Sequence, residues 1–142
     1  MNFITIQEII DDHVAIIDRY GGVKGIRNLG LLASAMSMPM STLFGEELHP
    51  TVFDKAAAYL YHIVCNHPFV DGNKRTGTVA ALTFLRQNRI QIVFTEEQSI
   101  ALEELVVSTA DGKTTKSQIS EFFRSCYTGP EIPELESISE ET

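Results

Sequence analysis

Apolar residues recur along this chain at three- and four-residue spacing, the period of one helix face. Ile6, Ile9, Ile10, Val14 and Ile17 form one such set. Phe53, Ala56, Ala57, Leu60, Ile63 and Val64 form a second, and Ile119, Phe122, Phe123 and Cys126 a third. Start signals agree with these periods. Thr5 with Glu8, Thr95 with Gln98 and Thr115 with Gln118 each fit a capping box, in which two side chains reciprocally satisfy free backbone N–H groups. Thr51 with Asp54 is a weaker version. Together they predict helices near 5–19, 28–38, 51–66, 74–89, 95–110 and 115–126. The run "TVAALTFL", Thr78 to Leu85, is apolar on almost every side, which predicts a central helix enclosed by the others. Only 40–48 and 90–94 remain as short extended pieces. The expected fold class is all-α, with no internal repeat.

Composition narrows the class further. The 142 residues, 44% hydrophobic, suit one domain with one core. No stretch approaches the roughly 18 consecutive apolar residues of a membrane span. The start, "MNFITIQEIIDDH", lacks the basic residues and cleavage site of a signal peptide. Cys65 and Cys126 stand apart, without a CxxC or a His-Cys cluster, so the expectation is two reduced thiols in a cytoplasmic protein. The net charge of −8 is uneven: five of the 19 acidic residues lie in the last thirteen positions, where no base stands. The segment "GPEIPELESISEET" is therefore expected to be a flexible tail. An acidic surface disfavours a nucleic-acid backbone as partner, so the basic cluster near residue 74 points to a smaller anion.

That cluster belongs to "NHPFVDGNKRTG", residues 66 to 77, at the joint between the third and fourth predicted helices. Asn73 stands where an N-cap would be, and Gly72 can take the dihedrals that a tight turn needs. The first turn of the following helix would present unpaired N–H groups from about residue 74 onward, backed by the helix dipole. Such a terminus binds phosphate or carboxylate. Lys74 and Arg75 add positive charge where the dipole opposes it, which an anion would offset. His67 can take a proton from a hydroxyl. Asp71 could hold Mg²⁺, an ion that keeps waters and uses substrate oxygens for its remaining ligands. Base, metal ligand and anion cradle together describe phosphoryl or nucleotidyl transfer to a hydroxyl, which depends on positioning and charge neutralisation. A histidine beside a proline is also a common loop residue, and Asp-Gly-Asn a common turn, so the residues alone leave both readings open. A Walker P-loop is absent, and His67 with Asp71 lacks the third ligand of a zinc site.

The same residues resemble a known family. "HPFVDGNKR" looks like the signature loop of the Fic/Doc (death-on-curing) family, H-P-F-x-[D/E]-G-N-[G/K]-R, at His67, Pro68, Phe69, Asp71, Gly72, Asn73, Lys74 and Arg75. "RYGGVKGIRNLGLLASAM" and "TLFGEELHPTVFDKAAAYLYHIVCNHPF" look like the upstream part of small Doc-like proteins, and the similarity extends over about residues 3–110. The resemblance implies a compact helical bundle with a short extended flap, here a Fic/Doc-like domain over 1–128 followed by the acidic tail at 129–142. It implies His67 as general base, Asp71 as Mg²⁺ ligand, and Gly72, Asn73, Lys74 and Arg75 as the nest for the phosphates of ATP. Phe69 would anchor the loop in the core and Pro68 would shape it. Met40 to His49 would be the flap, which in this family aligns a target segment by strand addition.

Two departures bear on the reaction. Fic nucleotidyltransferases commonly carry glycine where Lys74 stands, and a second arginine three residues after the first, where this chain has Thr78. The "NKRTG" half looks like Doc, whose members transfer the terminal phosphate of ATP. The "HPFVDG" half looks like Fic, which transfers AMP. Kinase chemistry is the expectation, AMP transfer the alternative, and a silent binding module the third reading. Ser137 and Glu141 have the spacing of the family's self-inhibitory motif, but Thr142 stands where Gly or Asn would follow and Thr78 removes the arginine partner, so self-inhibition is not expected. The resemblance implies a separate antitoxin and a protein target, the known Doc target type being a translation factor. Neither nucleic acid nor membrane is expected as a partner. His13, His49 and His62 attract no role.

Overall fold

The computed structural model describes residues 1–132. It contains six helices: α1 (Ile6–Tyr20), α2 (Leu29–Ser37), α3 (Val52–Asn66), α4 (Asn73–Gln87), α5 (Glu96–Ala110) and α6 (Lys116–Cys126). A 3-10 turn (Met38–Met40) and a minute hairpin, β1 (Thr42–Leu43) with β2 (Glu46–Glu47), connect α2 to α3. The fold is all-α, as the periodicity predicts. The greater part of the tail, with Ser137 and Glu141, lies outside the described residues.

All four capping boxes form, the Thr51–Asp54 pair included, with both reciprocal bonds in each. Each satisfies two N–H groups that the first turn leaves without intrahelical acceptors. Helix registers therefore follow the sequence closely. Burial differs in three places.

The enclosed helix is α3, not α4. From Val52 to Leu60 only Asp54 of α3 escapes full burial, and α2, α4, α5 and α6 all pack on it. Its small residues Ala56, Ala57 and Ala58 let neighbours approach closely, whereas Val79 and Leu82 of α4 stay half exposed. Gly77 of α4 makes the closest approach: a Cβ there would lie 3.0 Å from Val64 Cγ2 and 3.2 Å from the Leu60 carbonyl. In α1 the buried set is Ile9, His13, Ile16 and Ile17, while Ile6 and Val14 face outward. The inward stripe is thus rotated from the purely apolar one and includes a histidine. Residues 90–94 form no strand. Arg89 (φ 68°) closes α4, Ile90 turns into the core with its N–H on the Leu85 carbonyl, and the expected extended piece finds no pairing partner.

The extended expectation at 40–48 does hold, as the hairpin. Phe44 (φ 52°) and Gly45 (φ 81°) make its two-residue turn, both left-handed, the geometry that matches strand twist. Lys55 of α3, only 2% exposed, fastens the return strand. Its Nζ donates to Glu47 Oε1 at 3.0 Å and to the His49 carbonyl.

Candidate active site

The joint between α3 and α4 is held from three sides. From the core, Phe69 is fully buried and stacks on the His13 ring at 4.0 Å and 8°, while His13 Nε2 donates to the Asp71 carbonyl at 2.9 Å. From within, Asn73 brackets the loop: its Oδ1 accepts from the Phe69 N–H and its Nδ2 donates to the Phe69 carbonyl, both at 3.0 Å. From outside, residues 25–28 run antiparallel to the loop. Val70 N–H donates to the Gly25 carbonyl, and the Arg27 and Asn28 N–H groups both donate to the Pro68 carbonyl.

This corrects one expectation. Asn73 is not the N-cap but the first helical residue, and the N-cap is Gly72 at φ 76°, with no side-chain cap bond. The physical reason is that the Asn73 amide is spent on Phe69. The N-terminus of α4 is left uncapped. The Thr76 N–H reaches the Gly72 carbonyl, whereas the N–H groups of Asn73, Lys74 and Arg75 have no acceptor among the described residues. Three free donors, the positive end of the dipole and the exposed Lys74 and Arg75 side chains thus coincide. Neither cation has a carboxylate partner among the described residues. The Arg75 guanidinium lies 4.3 Å from the Tyr20 ring centroid, which holds it at the end of α1.

His67 and Asp71 bracket the loop chemistry. His67 is exposed and terminates α3 in the left-handed conformation, φ 53° and ψ 50°. Asp71 is exposed, with Oδ2 accepting from the Val23 N–H at 3.2 Å and Oδ1 from the Gly72 N–H at 3.0 Å. Gly22 permits this approach, because a Cβ there would come within 2.7 Å of Asp71 Oδ2. Each carboxylate oxygen keeps a lone pair after these bonds. One fixed, exposed carboxylate beside an anion cradle fits Mg²⁺, which takes most ligands from phosphates and water. It does not fit zinc, and the described residues hold no cluster of three metal-ligating side chains.

His67, Asp71, Gly72, Asn73, Lys74 and Arg75, the site residues expected from sequence, therefore all lie at the joint between α3 and α4. His13, Tyr20, Gly22 and Arg27, from α1 and the segment after it, support that joint. The last three lie in the stretch "RYGGVKGIRNLGLLASAM", whose resemblance assigned none of them a role, and His13 is the polar member of a buried helix face.

The Fic/DOC family profile matches residues 3–85, more than half of the chain. The chain belongs to the Fic/DOC family. Over 113 residues it is 34% identical to Toxin Doc of Mycolicibacterium smegmatis, covering 78% of this chain and 87% of that one. Over 127 residues it is 33% identical to Protein kinase doc of Escherichia phage P1, covering 89% and 97%. The Fic/DOC match spans α1 to α4, the elements that build the joint and its supports, and stops at Leu85 near the end of α4.

Proposed function

We propose that this protein moves the terminal phosphate of ATP onto a hydroxyl of a target protein, acting in the cytoplasm as the toxin of a toxin–antitoxin pair. One observation carries the reading: an exposed histidine stands one short loop before a helix N-terminus that has no side-chain cap and two cations without a carboxylate partner among the described residues. Relatives named as a toxin and as a protein kinase support it.

The nest of Asn73, Lys74 and Arg75 N–H groups, with both side chains, binds the phosphates, and Asp71 holds Mg²⁺. The ion, when bound, neutralises charge developing on the phosphate oxygens. His67 takes the proton of the target hydroxyl as its oxygen bonds to the γ-phosphorus. The bond from that phosphorus to the β–γ bridging oxygen breaks, and ADP leaves. The hairpin at Thr42–Glu47 offers its edge to the target segment. A separate antitoxin restrains the activity.

Lys74 supports the terminal phosphate over the α-phosphate as the one transferred. It is a compact cation at the helix start, where glycine would leave room for the other orientation. Thr78, where a second arginine would serve AMP transfer, turns its hydroxyl onto the Lys74 carbonyl at 2.8 Å. Paired labelling tests the choice. Label from γ-³²P-ATP should reach a lysate protein, and label from α-³²P-ATP should not. His67→Ala should remove transfer by about 10²- to 10⁴-fold while Mg·ATP affinity by calorimetry stays unchanged. Lys74→Gly should lower the γ-label. Transfer of α-label by the wild type would replace this reading with AMP transfer. Binding of Mg·ATP with no product from either label would leave a nucleotide-binding module.

A further inference from the structure

Arg27 makes a two-point side-chain contact with the joint. Its Nε donates to the His67 carbonyl at 2.6 Å and its Nη2 to the Asn66 carbonyl at 3.0 Å. These carbonyls lie at the C-terminal end of α3, where the last acceptors lack intrahelical donors and the dipole is negative. The last turn of α3 contains no basic residue of its own. A guanidinium from another segment supplies the missing charge, and its planar fork spans two adjacent carbonyls as an ammonium cannot.

The conformation that it holds is a demanding one. A non-glycine residue in the left-handed region is disfavoured and depends on its surroundings to hold it there. His67 is one such residue. The neighbouring positions are fixed by other means. Asn66 Nδ2 donates to the Leu31 carbonyl at 3.1 Å, and backbone bonds join Pro68 and Val70 to residues 25–28. The carbonyl of His67 has the Arg27 side chain as its partner. Removing the guanidinium leaves the backbone pairing of the two segments and the His67 N–H bond to the Ile63 carbonyl in place, and frees the His67 carbonyl alone.

We infer that Arg27 is the positioning residue of His67, holding its backbone in the left-handed turn from which the imidazole addresses the target hydroxyl. Arg27 touches neither nucleotide nor target. The inference rests on His67 being the base.

The test compares the full-length wild type with Arg27→Gln, Arg27→Lys, His67→Ala and the Arg27→Gln/His67→Ala pair. Initial rates of γ-³²P transfer to lysate protein are measured at several ATP concentrations, with calorimetric Mg·ATP affinity alongside. Arg27→Gln should lower the maximal rate by about ten- to a hundredfold, the scale of a small misplacement, with KM for ATP and Mg·ATP affinity unchanged. Arg27→Lys, which can bond one carbonyl, should fall between it and the wild type. Adding Arg27→Gln to His67→Ala should cost nothing further, because a residue that acts through the base has no base left to position. A wild-type rate in Arg27→Gln overturns the inference. So does a parallel loss of ATP affinity, which would make Arg27 a phosphate ligand, or an additive loss in the pair. Should Arg27→Gln not fold, a wild-type rate or a weakened ATP affinity in Arg27→Lys overturns it equally. Undiminished transfer by His67→Ala removes the base itself, an outcome distinct from all of these.

Discussion

Asp71 receives two backbone N–H bonds and is fixed before any ion arrives. If its charge is there for Mg²⁺, Asp71→Asn keeps an acceptor for one of those N–H groups and loses the ligand. Nucleotide affinity should then fall by at least about tenfold in Mg²⁺ and little in EDTA, since a lost charge-assisted contact is worth about 1.5–3 kcal/mol. An equal loss in both media would make Asp71 a loop-shaping residue. Thr76, five residues on, makes the opposite case: its Oγ1 is buried with no hydrogen-bond partner among the described residues. Thr76→Val keeps the shape and removes an unsatisfied hydroxyl, so the melting temperature should hold or rise by a few degrees. A clear fall on thermal melting would show that the hydroxyl has a partner. At this scale the residues of the joint were legible because they lie within nine positions and each brings a distinct chemistry. The supports were not. Arg27 lies forty residues from His67 and bonds only carbonyls, which carry no side-chain identity. Asn73 departs from the N-cap place its type suggests because the folded loop offers its amide the Phe69 backbone instead.

Among the elements, the helices were predictable because capping boxes and periodicity are local. What local patterns cannot supply is which face meets which neighbour. The rotated face of α1 and the exchange of α3 for α4 at the centre both follow from that: His13 counts as polar until Phe69 and the Asp71 carbonyl surround it. In periodicity the hairpin shows only as a short extended gap between helices, its strands being two residues each, and the resemblance is what marks it as a flap. The buried Lys55 ammonium ties it to α3. Lys55→Met retains most of the packing volume, and Glu47, partly exposed, can turn to water. The hairpin should therefore loosen locally: amide exchange across Thr42–Glu47 should quicken while the global melting temperature changes little. Unchanged protection there would mean that the turn and strand pairing suffice by themselves.

Across the whole molecule, α6 is joined to α3 and to the end of the hairpin by polar contacts as well as by its apolar face. Lys116 Nζ lies 2.9 Å from His49 Nε2 and 3.1 Å from His62 Nε2, and His49 Nδ1 donates to the Met38 carbonyl at 3.0 Å. The arrangement is consistent when both rings are neutral, each offering Nε2 as acceptor to the ammonium. Burial, then the Lys116 charge, then His49 push the His62 pKa down to about 4. His49 moves in the same direction, by burial and by Lys116. In the unfolded chain both rings take up a proton near the ordinary value of about 6.5. Between the two values the unfolded state thus binds more protons than the folded one, so stability rises with pH. The contribution of His62 is complete above about pH 6.5 and is lost as pH falls toward 4. Because the ring is only partly buried, the loss is on the order of 1 kcal/mol after allowing for solvent screening. The melting temperature should drop by a few degrees between pH 7.5 and pH 5. His62→Leu, which cannot take up a proton in either state, should flatten that drop even if its absolute stability differs. If the wild type and His62→Leu lose stability in parallel over that interval, the titrating groups lie elsewhere in the chain and the Lys116 bridge has no part in the acid response.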